Sequence, residues 1–193
     1  MVSSAPAPVK RGAGLKSSAF LFEFKYVINL AGSDFKTVRW VFLFPGKTRA
    51  PFLAAGIADF LQRLRPLAEA RELVVKGAVG PDSAAMEHRA REGAAILARL
   101  KPGDYLAALD QRGESLSSAG LAARIGRLRE SGVKTINLAV GGPWGLDESL
   151  LKRADWVLSL GPLTLPHELA RLVILEQTYR AYTILNHLPY HKE

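Results

Sequence analysis

From about residue 36 to its end, the chain alternates short apolar runs with amphipathic stretches. Residues 38–44 are apolar except for Arg39, and Pro45-Gly46 closes the run. Over 51–64, Leu53, Ile57, Phe60, Leu61 and Leu64 recur at helical spacing, which predicts a helix burying one face. Residues 72–76 read as a short, weak strand. Pro81-Asp82-Ser83 opens a helix to about residue 100, with Asp82 or Ser83 placed to cap it. Pro102-Gly103 breaks that helix, and 105–109 form the next strand. Ser117 or Ser118 caps a helix with Leu121, Ile125 and Leu128 on one face, ended by Gly132. Residues 135–140 are β-branched and apolar, as in a buried strand. A short helix over 146–153 and a strand over 156–160 follow. The last helix opens with Pro166 just inside its start, where a missing N–H costs nothing.

Five strand–helix alternations predict an α/β fold: a parallel sheet with helices on both faces. Residues 36–193 are read as one domain and residues 1–35 as a disordered extension. Open parallel sheets bind ligands beyond the C-terminal ends of their strands. Three of these ends carry unusual loops, at 109–113, 141–145 and 160–165. Glycines in the second, Gly141-Gly142-Pro143-Trp144-Gly145, would let a bulky ligand press against the backbone. The third offers backbone polar groups inside an apolar rim, which suits an adenine and a neutral ribose. Tight turns are the plainer account, since Gly and Pro are expected there. Nucleotide-phosphate loops are absent: there is no Gly-x-Gly-x-x-Gly, and Gly46-Lys47-Thr48 has Val41 where the phosphate loop needs glycine.

Charge narrows the partner. The net charge of +8 favours a polyanion, although a basic surface that only aids solubility would look the same. No cysteine and only four histidines give no reason to expect a metal site. No apolar run approaches the ~20 residues of a membrane-spanning helix. Residues 1–22 lack acids and are rich in Ala, Ser and Pro. A disordered extension, or a start codon set too far upstream, fits them better than an organellar transit peptide.

Five strings in order carry a resemblance: L-D-Q-R-G-E-S-L-S-S from Leu109, V-G-G-P-W-G-L from Val140, P-L-T-L-P-H from Pro162, E-Q-T-Y-R-A-Y from Glu176, and the terminal P-Y-H-K-E. In this order and spacing, the chain resembles the bacterial ribosomal large-subunit pseudouridine N3-methyltransferases of the SPOUT group. The likeness covers about 36–193 and is closest after residue 101.

The resemblance implies a C-terminal trefoil knot, a homodimer, a cytoplasmic location, and action on 23S rRNA in the assembled ribosome. It implies S-adenosylmethionine held by Leu109, Gly141, Leu160, Gly161, Pro162, Leu163, Thr164 and Leu165. It places Arg180, Tyr190 and His191 at the substrate, with Arg180 stabilising the N3 anion; either the His191 imidazole or bulk water through a relay would take the proton. The residues also allow plainer roles. Glu176–Arg180 is the favourable order for an ordinary i,i+4 pair, and His167 could be a helix-start residue bonded to backbone. Trp144 and Trp156 read as core or interface aromatics. Three departures stand out: Gly161 replaces a serine, Leu188 replaces a histidine, and the 44–47 loop replaces a shorter Val-Gly-Lys pattern. A SPOUT methyltransferase for another RNA nucleoside, or an inactive ribosome-binding protein of the same fold, are the rival expectations.

Overall fold

The computed structural model describes residues 38–191; the extension assigned to 1–35 lies outside them, as do 192 and 193. Strands β1 (Arg39–Pro45), β2 (Glu69–Val75), β3 (Tyr105–Ser115), β4 (Thr135–Val140) and β5 (Trp156–Ser159) form one sheet in the order β2-β1-β4-β3-β5. Every pairing is parallel. Helices α1 (Pro51–Leu64), α2 (Ala85–Leu97), α3 (Ser118–Glu130), α4 (Glu148–Arg153) and α5 (His167–Leu185) cover both faces.

The period of two along β1 sorts the core. Trp40, Phe42 and Phe44 point to one face, where Ile57 and Leu64 of α1, Ile125 of α3 and Ile174 and Tyr179 of α5 meet them. Val41 and Leu43 point to the other, against Ile96 of α2 and Leu150 of α4. Burial on both faces explains why β1 and β4 read as continuous apolar runs. Deep in the first layer the Trp40 indole N–H donates to the Tyr182 hydroxyl at 3.0 Å, tying β1 to α5.

Several boundaries differ from the sequence expectation. β2 begins at Glu69, because this edge strand is extended by pairing with β1 from Arg39↔Glu69 onward rather than by its own apolar pattern. α2 is capped by neither Asp82 nor Ser83: Asp82–Ala84 form a 3-10 turn and Ala84 is the cap residue. The Asp82 carboxylate instead accepts from the Trp144 indole N–H at 3.0 Å. Pro166 is the cap of α5 rather than its first helical residue, and α4 begins at Glu148 behind Asp147, which accepts from Ser149 N–H at 2.9 Å. Ser117 does cap α3, and Gly132 ends it with φ +85°.

The largest surprise is β3, which runs on past residue 109. Its pairing with β5 is interrupted between Leu109 and Glu114, then resumes at Glu114↔Leu158 and Ser115↔Ser159. The chain re-enters the sheet edge so closely that a Cβ on Gly113 would sit 2.6 Å from the Leu158 carbonyl carbon. Only glycine tolerates that approach.

Candidate active site

The ends of β3, β4 and β5 open onto a single cavity of about 880 Å³. Leu109, Gly141, Leu160, Gly161, Leu163, Thr164 and Leu165 all line it; of the residues expected there, Pro162 does not. Its size is that of a small-molecule site. One wall is an ion network that sequence reasoning missed: Arg112 meets Asp110 at 2.9 Å and Glu148 at 2.7 Å. The Arg112 hydrogen bonds hold the Asp110 carboxyl below its ordinary range.

The glycines of the second loop serve the loop before they serve any ligand. A Cβ on Gly141 would lie 2.6 Å from the Gly145 carbonyl carbon, so the side chain would strike backbone rather than enter open space. This corrects the expectation that glycine there simply makes room. Gly145 N–H closes the turn on Gly142 O at 3.1 Å. Behind it, a Cβ on Gly142 would meet the Glu92 carboxylate at 2.6 Å. Glu92 is buried, and its other oxygen accepts from Ala78 N–H at 2.9 Å. Trp144 lines the cavity with its ring centred 4.3 Å from buried His88, whereas Trp156 is a core residue.

In the third loop Gly161 adopts φ +108° with no atom near the place of a Cβ. The glycine therefore serves the backbone conformation. A hydroxyl is still present, because Ser159 Oγ accepts from Gly161 N–H at 3.1 Å.

α5 then carries a clamp. Arg171 has no exposed surface, and its guanidinium donates to Pro45 O (2.6 Å), Gly46 O (3.1 Å) and Thr48 Oγ1 (3.1 Å). Glu168 accepts from Arg49 N–H at 2.9 Å and Ala50 N–H at 3.1 Å. Arg171→Leu would strand two carbonyls, so we expect a loss of about 2–4 kcal/mol in urea denaturation. A change below about 0.5 kcal/mol would show that the clamp is incidental.

His167, the first residue of α5, lines the cavity and makes no backbone hydrogen bond through its ring among the described residues. Burial, reinforced by the Arg171 charge, pushes its imidazole below the ordinary 6.5. The neutral ring is the form the fold favours. Its contribution to stability is therefore complete above pH 6.5 and is lost as the pH falls below that value. The melting temperature of the wild type should drop more steeply with acid than that of His167→Gln. Parallel curves would refute the assignment.

At the far end of α5, Arg180 and Tyr190 come together around Glu176. Arg180 reaches the carboxylate at 2.5 and 3.0 Å, and Tyr190 Oη donates to it at 3.1 Å. The guanidinium lies 4.8 Å from the Tyr190 ring centre. The Glu176 hydrogen bond holds the Arg180 pKa up, while burial and then the Glu176 charge hold the Tyr190 phenol up. The simple i,i+4 pair therefore exists, but as part of a half-buried trio. The tail folds back because His187 takes φ +53° and Leu188 N–H bonds to Thr183 O at 2.8 Å. Leu188, in place of the family's histidine, is buried there. His191 is half-buried, with Nδ1 unpartnered among the described residues. None of Arg180, Tyr190 and His191 lines the cavity. Arg180 lies thirteen residues after His167 along the helix, about 20 Å at the helical rise.

Residues 38–191 match a family model described as "Predicted SPOUT methyltransferase". The chain belongs to the SPOUT methyltransferase family. "Ribosomal RNA large subunit methyltransferase H" of Nitratidesulfovibrio vulgaris (strain DP4) is 41% identical over 150 residues, covering 77% of this chain and 94% of the relative. The protein of the same name from Limosilactobacillus reuteri (strain DSM 20016) is 40% identical over 151 residues, covering 76% and 95%. A solved structure titled as a probable methyltransferase from Bordetella pertussis Tohama I aligns at TM-score 0.45 and 17% identity, over 77% of this chain and 97% of that one.

Within this SPOUT methyltransferase, the cavity residues that sequence reading missed share a cause. Arg89, Asp110, Arg112 and Glu148 line it but come from three separate segments, α2, β3 and α4. Arg171 and Glu92 act on backbone atoms distant in sequence, which leave no side-chain signature. The one local hint was a charged residue inside an otherwise apolar stretch of α5, at Arg171.

Proposed function

We propose that this methyltransferase transfers the methyl group of S-adenosylmethionine to N3 of a pseudouridine in 23S rRNA of the assembled ribosome. The observation that carries the reading is the convergence of three strand-end loops on one cavity beside His167. Leu109, Leu160 and Leu165 supply apolar walls for an adenine. The backbone of Gly141 and of the 160–165 loop supplies polar groups for ribose and the amino-acid portion, with Pro162 shaping the turn. The bound donor supplies an electrophilic methyl group. Arg180 would stabilise charge developing on the uracil carbonyls as N3 loses its proton, and His191 would accept that proton. Tyr190 orients Arg180 through Glu176.

The relatives' name, with its large-subunit ribosomal RNA, supports the choice of acceptor. The net charge of +8 also suits RNA. The distance along α5 supports a homodimer, in which a partner would bring its Arg180 end to this cavity. The close passage of Gly113 against Val157 and Leu158 favours a trefoil knot, with the last strand and helix drawn through the preceding loop. No described helix is long and apolar enough to cross a membrane, and a ribosomal substrate favours the cytoplasm. The test is mass spectrometry of rRNA nucleosides from a deletion strain. N3-methylpseudouridine should vanish and return when the gene is restored; its persistence would refute the substrate.

A further inference from the structure

We propose that the 45–50 loop and the first turn of α1 form an RNA-docking surface, with Lys47 and Arg49 holding phosphates and Phe52 stacking on an unpaired base. The inference rests on the acceptor being RNA, as proposed above, and adds where and how that RNA is gripped.

The first observation is how the arginines are used. Arg39, Arg63, Arg112, Arg153 and Arg180 each meet a carboxylate within 3.1 Å. Lys47 and Arg49 are exposed and have no ion pair among the described residues. The nearby Glu168 does not neutralise Arg49 through its side chain. Both of its oxygens are occupied by backbone N–H groups, those of Arg49 and Ala50. The carboxylate therefore fixes the loop and leaves the guanidinium outside.

The second observation is rigidity. Arg171 adds three hydrogen bonds to the same loop from a side chain without exposed surface. Two charged residues of α5 thus present two free cations in a fixed frame, which lowers the ordering cost of gripping a polyanion.

The third is Phe52, which is 75% exposed although the apolar face of α1 is already buried through Leu53, Ile57 and Leu64. Packing does not account for it. An exposed aromatic beside unpaired cations has the chemistry that single-stranded RNA uses: phosphates meet the cations and a base stacks on the ring.

The fourth is position. The clamp residues Glu168 and Arg171 lie within one turn of His167, which lines the donor cavity. The Arg49 charge also reaches His167. RNA held on this loop would lie at the mouth of the cavity.

The experiment uses the full chain with ribosomes from a strain lacking this gene. Lys47→Ala/Arg49→Ala should raise the KM for ribosomes roughly tenfold and flatten the slope of log(kcat/KM) against log[salt] by about 2. Its kcat and its S-adenosylmethionine affinity should stay unchanged. Lys47→Arg/Arg49→Lys should restore the wild-type values, because charge is what the contact needs. Phe52→Ala should raise the same KM without changing the salt slope. Equal ribosome KM and salt slope in the double variant and the wild type would overturn the proposal. So would a rise in KM matched by loss of the dimer in sedimentation, since the surface would then meet a second copy. Co-sedimentation with ribosomes decides the docking surface independently of catalysis. A wild type that pellets with ribosomes through Lys47 and Arg49, yet methylates nothing, would sink the proposed reaction and leave the surface standing.

Discussion

Mixing a Gly141→Val chain with an Arg180→Ala/His191→Ala chain should restore methyl transfer that neither variant performs alone. The reason lies in α5, whose first residue lines the cavity while Arg180 sits thirteen residues on, clasped by Glu176 and Tyr190. At about 1.5 Å per residue, no bending within a continuous helix brings the two ends together. If the site needs both, the second set must come from a partner. A mixed dimer then holds one site with an intact loop and an intact Arg180, and should show a substantial fraction of the wild-type rate. The Arg180→Ala/His191→Ala variant alone should lose about 10²–10³-fold in kcat while binding the donor normally. Heterodimers confirmed by mass spectrometry but lacking activity would rule out the shared site.

The second large effect concerns Gly141 itself. Gly141→Val should abolish S-adenosylmethionine binding in calorimetry, through the loop rather than by filling the pocket. Its Cβ would lie 2.6 Å from the Gly145 carbonyl carbon and 2.8 Å from its oxygen, both main-chain atoms held in a closed turn. Something must move, and the 141–145 loop is the part free to do so, because β4 beneath it is buried on both sides. Circular dichroism should therefore report a folded protein with a modest drop in melting temperature. Donor affinity within about threefold of the wild type would show that the loop does not shape the site.

The candidate site was legible in unequal parts. The three loops could be found because they follow apolar strands and parallel sheets place ligands there, and seven of eight expected residues do line one cavity. The Glu176–Arg180 pair could be read from its i,i+4 spacing. Tyr190 joining that pair could not, because it depends on the tail reversing at His187 and burying Leu188. The role of Gly141 was misjudged for a similar reason. A glycine in a loop shows that space is needed but not which neighbour needs it.

By itself the sequence determined the α/β class, the five strands and the helices between them. Periodicity is local, and an apolar run or a helical face is stored in adjacent residues. It also carried the strings that mark the SPOUT methyltransferase family. Tertiary structure alone decided the order β2-β1-β4-β3-β5, the length of edge strand β2 and the return of β3 to β5 at Glu114. It likewise decided that Arg171 and Glu168 spend their charges on a loop more than 110 residues earlier. Those outcomes depend on backbone hydrogen bonds and close approaches between distant segments. Backbone groups are the same in every residue, so no side-chain pattern announces which of them will meet.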